Sequence, residues 1–155
     1  MRIFKIIVLG LLFSLTSLMA AEQKVVFDLT SGDVDKIEKH LINNIEGLAK
    51  YYKSNDIDFK VAVVISGKAY KYFVEDLKNS PFKGKIKVTR AQKRLAPLLE
   101  ALNTKYGVEF DMCKAGMKAR NIEKKVLYSY VKSDLNKSVY LIKWQNDGYA
   151  YLPVH

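Results

Sequence analysis

The chain has 155 residues, with 26 Lys and Arg against 16 Asp and Glu, a formal charge of +10 and a single cysteine. One cysteine excludes an internal disulfide framework, and no group of His, Cys and acids stands at metal-ligand spacing. The basic balance favours contact with anions or an acidic membrane surface, but no nucleic-acid motif accompanies it, so nucleic acid is not expected as a partner.

Met1–Ala20 has the three parts of a secretory signal. Arg2 and Lys5 form a positive start, Ile6–Leu18 is a mostly apolar run, and Ala20 and Ala21 supply small residues for cleavage. The apolar run is short for a membrane span. The expectation is a signal peptide over 1–20, a single exported (periplasmic) domain over 21–155, and no membrane span after cleavage. A lone Cys113 in an oxidising compartment must be buried, paired with another chain, or kept for chemistry.

The mature chain alternates strand and helix signals. Lys24–Leu29 is a nearly continuous apolar run, as expected of a strand covered on both faces. Thr30-Ser31-Gly32-Asp33 reads as a loop, with Asp33 able to cap the next helix. That helix is predicted over 34–53 from the stripe Val34, Ile37, Leu41, Ile45, Leu48 and Tyr52. His40 beside the stripe reads as a solvated surface residue. Phe59–Ile65 is the strongest strand signal, and Ser66-Gly67 ends it. A glycine there lets the backbone approach a ligand closely, or simply makes a strand-to-helix turn. A second helix is predicted over Ala69–Leu77, with Phe73 and Leu77 inward. Lys83–Arg94 carries six cations and no acid; it reads as a solvated loop with one extended piece, Ile86–Val88. A third helix follows, with Leu95, Leu98, Leu99, Leu102 and Tyr106 on its stripe and Pro97 in its first turn.

Gly107 punctuates the chain, and Val108, Phe110 and Met112 then alternate as a strand. Cys113 falls where this strand ends. Val126–Val131 reads as a short strand or extended linker. Ser133 is a candidate cap for a final helix over 134–146, with Leu135, Val139 and Ile142 inward. Tyr149–Val154 makes the last strand, at an edge or ending at Pro153, which lacks a ladder donor.

Such alternation predicts an α/β fold with a mainly parallel sheet between helices. Ligands in open α/β sheets bind outside the carboxyl ends of the strands. Thr30, Ser66, Gly67 and Cys113 all fall at that edge, so they are expected to border one crevice, with Lys114 adding positive charge. A helix N-terminus and nearby cations lower a thiol's pKa. The pattern alone leaves two readings of Cys113, a reactive thiol or a small buried hydrophobe. No Gly-rich phosphate loop, Ser–His–Asp set or zinc-ligand cluster appears, so no cofactor or resident metal is expected.

The segments FDLTSGD, FKVAVVISG, GVEFDMCKAGMKARNI and QNDGYAYLP, in this order, resemble the DsrE/DsrF-like family, especially its exported members, over nearly all of the mature chain. The most specific part is a Gly-Val strand that ends in Cys and runs into a short helix. The resemblance implies a three-layer α/β/α sandwich with about five strands, and a homo-oligomer. It also implies a sulfur relay in which a cysteine at this strand end holds sulfane sulfur as a persulfide. Cys113 is the residue that the resemblance marks as catalytic. Its partners would be a sulfur donor or acceptor protein, or a small sulfane-sulfur compound. Relatives often show His-Gly after the second strand; here Ser66-Gly67 stands there, so no second catalytic group is carried over. The alternative function is a non-catalytic periplasmic module that binds a small ligand or a protein.

Overall fold

A computed structural model describes residues 22–155; the expected signal peptide lies outside the described residues. Five strands form one parallel sheet in the order β4-β3-β2-β1-β5. They are β1 (Gln23–Leu29), β2 (Phe59–Ile65), β3 (Glu109–Met112), β4 (Val131–Lys132) and β5 (Ala150–Val154). The first three strands are parallel neighbours, with Val25 opposite Val61, Leu29 opposite Ile65, and Val63 opposite Phe110. β5 lies at an edge, where Pro153 is tolerated.

Two long helices cover the first face. α1 spans residues 34–54 and opens under an Asp33 cap, whose carboxylate accepts from the Lys36 N–H at 3.0 Å. Its middle, Ile37–Ile42, is π-helical. α2 runs Ile86–Tyr106 and ends at Gly107, whose φ of +64° suits a residue without a Cβ. Ile37, Leu41 and Ile45 of α1 and Leu95, Leu99 and Leu102 of α2 bury against Phe27, Val63, Ile65 and Phe110. The short α3 (Lys114–Ala119) follows β3, its Met117 in the same core as the two long helices, and the second face carries α4 (Lys137–Asn146). Tyr140 and Trp144 of α4 pack with Val26, Ala62, Val64 and Tyr149. The result is the expected α/β/α sandwich.

Four local expectations are corrected. Residues 69–77 do not form a helix; only Tyr70–Tyr72 makes a 3₁₀ turn, and Val74 then bridges Leu127. The two tyrosines are held by their hydroxyls, Tyr70 on the Cys113 carbonyl and Tyr72 on the Gly32 carbonyl, so the chain bends to serve them. The basic stretch is a loop only over residues 83–85. Helix α2 already begins at Ile86, because Lys and Arg are good helix formers and point to solvent while Val88 buries. Pro97 therefore lies inside α2. The last helix begins at Lys137 with Asn136 as its cap residue, and Ser133 is buried ahead of it. Finally, Leu135, Val139 and Ile142 face outward, 39%, 48% and 58% exposed. Tyr140 and Trp144 take the inward stripe because each brings a polar tip with a partner: the Tyr140 hydroxyl accepts from the Asp134 N–H, and the Trp144 indole N–H donates to Asp111.

Candidate functional site

Cys113 follows the last residue of β3 and is the cap residue of α3, with an extended backbone. Its N–H donates to the Ile65 carbonyl at 3.0 Å, which locks it beside the end of β2. Its carbonyl accepts from the Met117 N–H at 3.1 Å and from the Tyr70 hydroxyl at 3.0 Å. Gly116 makes the second contact possible: a Cβ there would run into the Tyr70 hydroxyl and ring. Arg120 closes the far side, its guanidinium 4.7 Å from the Tyr70 ring centre.

The start of α4 is sewn to the start of α3. The Lys114 N–H donates to the Leu135 carbonyl at 2.9 Å, and the Ala115 N–H donates to Asn136 Oδ1 at 3.1 Å. Burial works against a thiolate at Cys113. The Gly116 and Lys137 N–H groups, the Tyr70 hydroxyl and the Ala115 N–H outweigh it and hold the thiol below its ordinary pKa. Tyr70 is pushed the other way, chiefly by burial, and so stays a protonated donor. Cys113 keeps 8% of its surface exposed.

The other expected site residues divide into two groups. Thr30 and Gly67 meet: Gly67 has φ +62°, and a Cβ on it would stand 2.7 Å from the Thr30 carbonyl oxygen. They share an open cavity of about 610 Å³ with Lys36, Lys68 and His155, at the ends of β1, β2 and β5. Thr30 Oγ1 lies 2.7 Å from His155 Nδ1. Lys114 is exposed and lines a separate depression of about 400 Å³ with Met117, Lys118, Ile122 and Lys124. Ser66 is buried between the two groups, its N–H on the Leu29 carbonyl. Cys113 lines neither cavity. The single crevice expected from the sequence is thus two shallow ones, with the cysteine on the ridge beside Ser66.

The second face adds groups that the sequence reading passed over. Asp28 and Asp111 are both buried in the sheet, one strand apart across Val64. Asp28 Oδ2 accepts from Lys137 Nζ at 2.8 Å and from the Tyr151 hydroxyl at 3.0 Å. Asp111 Oδ2 accepts from the Trp144 indole at 2.7 Å. Burial raises the Asp111 carboxyl above the usual range, against the pull of Trp144. A carboxylate inside an apolar strand, as in KVVFDL, is the one signal that would have marked Asp28. Among the described residues no group of three or more His, Cys, Asp or Glu could hold a metal ion, and no helix is long and apolar enough to cross a membrane.

Comparison with known proteins gives one family and, among solved structures, several similar chains. The model of the DsrE/DsrF-like family matches residues 23–154. The protein of unknown function MTH1491 from Methanobacterium thermoautotrophicum is 19% identical in sequence, with a TM-score of 0.63 over 85% of this chain and 99% of that one. The ychN protein of E. coli is 14% identical, with a TM-score of 0.46 over 84% of this chain and 98% of that one. Among curated proteins, none matches.

Proposed function

The chain belongs to the DsrE/DsrF-like family, which is associated with sulfur relay, and on that premise we propose that Cys113 carries sulfane sulfur as a persulfide. The observation that carries this reading is the place of Cys113, at the end of β3 and at the cap of α3 with the start of α4 alongside, where the Gly116, Lys137 and Ala115 N–H groups favour its thiolate. The thiolate is the attacking species in sulfur exchange. It attacks a sulfane sulfur of a polysulfide or a donor protein. A new bond to Cys113 Sγ forms, the donor's S–S bond breaks, and the donor leaves one sulfur shorter with the electron pair. A partner thiolate then attacks the outer sulfur, and Cys113 departs as the thiolate. Lys114, exposed on the first turn of α3 next to Cys113, draws the anionic donor.

In this reading the protein works outside the cytoplasm, after loss of residues 1–20, and as a homo-oligomer. The support for export is the Met1–Ala20 pattern. The support for self-association is the apolar stripe of Val139 and Ile142, left exposed on α4, with exposed Leu135 just ahead of the helix. A second reading, a non-catalytic binding module, draws on the slight exposure of Cys113 and on the open cavity at Thr30, Gly67 and His155 that stands apart from it.

The test is intact mass after exposure to polysulfide. The carrier reading expects a gain of about 32 Da, one sulfur atom, lost in Cys113→Ser while the fold is kept. No adduct on folded wild-type protein refutes the carrier and leaves the binding module. Sequencing the N-terminus of the exported protein should find Ala21 or a near neighbour; intact Met1 on soluble cytoplasmic protein contradicts export.

A further inference from the structure

We infer that the ion pair Asp28–Lys137 is a positioning device for Cys113: it pins the first turn of α4 to the sheet, and the residues just ahead of that turn are hydrogen-bonded through Leu135 and Asn136 to the helix that Cys113 caps. The inference rests on the carrier reading and names the groups that keep its nucleophile poised.

Asp28 is costly where it stands. Its neighbours on the second face, Val26, Ala62 and Val64, are wholly buried and apolar. A carboxylate at 3% exposure among them needs a partner, and a buried ion pair stabilises no better than a well-packed apolar pair. Valine at 28 would serve the sheet as well. What the pair adds is a fixed location for Lys137. That residue is the first of α4, and its two ends have two jobs. Its ammonium binds Asp28 Oδ2 at 2.8 Å, beside the Tyr151 hydroxyl. Its backbone N–H is one of the donors that favour the Cys113 thiolate.

The remaining ties of this segment lead elsewhere. The Leu135 carbonyl and Asn136 Oδ1 fasten it to α3, and the Asp134 and Leu135 N–H groups donate to Tyr140 within the same segment. The far end of α4 is tied to the sheet by Trp144 on Asp111. Helix α4 is therefore held to the sheet by a carboxylate at each end, Asp111 through Trp144 and Asp28 through Lys137, the residue at the Cys113 end of the helix. The charged and titratable groups around the sulfur are Tyr70, Lys114, Lys137 and, behind the Tyr70 ring, Arg120. Asp28 itself faces Lys137 and Tyr151.

The experiment reads the pH midpoint of iodoacetamide alkylation of native Cys113, with urea unfolding of the same samples. The proteins are wild type, Asp28→Asn, Lys137→Met, the double variant of both, and Lys137→Arg. Lys137→Met leaves a buried carboxylate unpaired and Asp28→Asn leaves an ammonium that is a third exposed, so both lose stability, the first more than the second. The double variant has no orphaned charge and an unchanged net charge, so it recovers most of that stability. Its alkylation midpoint should still lie above wild type, by an amount that slows native alkylation at pH 7 about threefold to tenfold. Lys137→Arg, which keeps a cation for Asp28, should restore the wild-type midpoint. A stable double variant with the wild-type midpoint overturns the inference and leaves the pair merely structural. Polysulfide loading of wild type is read separately. Wild type that titrates but takes no sulfur sinks the carrier while the positioning of the thiolate stands; wild type with no native alkylation sinks both.

Discussion

The two faces of the sheet are built on different principles. The first is covered by two long helices and closed by aliphatic and aromatic side chains such as Ile37, Leu41, Leu95 and Leu99, all fully buried. The second is covered by the ten residues of α4, and its contacts run through polar tips: Trp144 on Asp111, Lys137 and Tyr151 on Asp28. Apolar burial is non-directional and tolerates small shifts, whereas a hydrogen-bonded carboxylate specifies one place. Cys113 stands where the two meet, its carbonyl held by Tyr70 from the loop after β2 and its sulfur faced by the first residue of α4. The first face supplies stability and the second supplies placement.

The largest test removes packing from the first face. Leu99→Ala should cost about 2–5 kcal/mol in urea unfolding, as expected for a fully buried leucine, and leave the alkylation midpoint of folded Cys113 where it was. A moved midpoint would show that the faces are not separable.

Gly116→Ala comes next. Its methyl group meets the Tyr70 hydroxyl and ring, so about 1–3 kcal/mol of stability should go, and the Cys113 midpoint should rise as Tyr70 is displaced. Trp144→Phe should cost a similar ~1–3 kcal/mol at neutral pH, because Asp111 is left buried without its donor. The sign with pH follows from Asp111. Its folded pKa is raised, so this carboxyl already favours the folded state more at low pH than at neutral pH, and losing the Trp144 donor raises it further. The penalty should therefore shrink as pH falls through the folded pKa and Asp111 becomes protonated. A penalty constant across that range would mean that Trp144 acts by packing alone.

The smallest effect on folding is expected at Ile142. Ile142→Asp changes an exposed position and should move the stability of the single chain by no more than about 0.5 kcal/mol. It should still lower the mass measured by light scattering if the α4 stripe joins copies of the chain. An unchanged mass removes that stripe from the proposed interface.

The sheet was legible because β1, β2 and β3 carry apolar runs that few other elements could bury. The length of α2 was not, because its first two turns show Lys87 and Arg90 to solvent and bury little besides Val88. Helix α4 offered two stripes at helical spacing. Leu135, Val139 and Ile142 are the more apolar set, but the hydrogen-bonding tips of Tyr140 and Trp144 decided the orientation. At the site, the place of Cys113 followed from the strand alternation that ends at Met112. Tyr70, Gly116, Lys137 and Asp28 did not, since their contacts join segments far apart in sequence and depend on how loops close.

The central claim is that folded Cys113 is a poised thiolate. A folded-state thiol pKa held below the unfolded value contributes stability that is full above the unfolded pKa and is lost as pH falls through the folded one. The direct measurement is the alkylation rate of native and urea-unfolded protein across pH. The account predicts that native Cys113 reacts, with its midpoint below that of the unfolded chain. A native protein that reacts only after unfolding, or with a midpoint at or above the unfolded one, contradicts it.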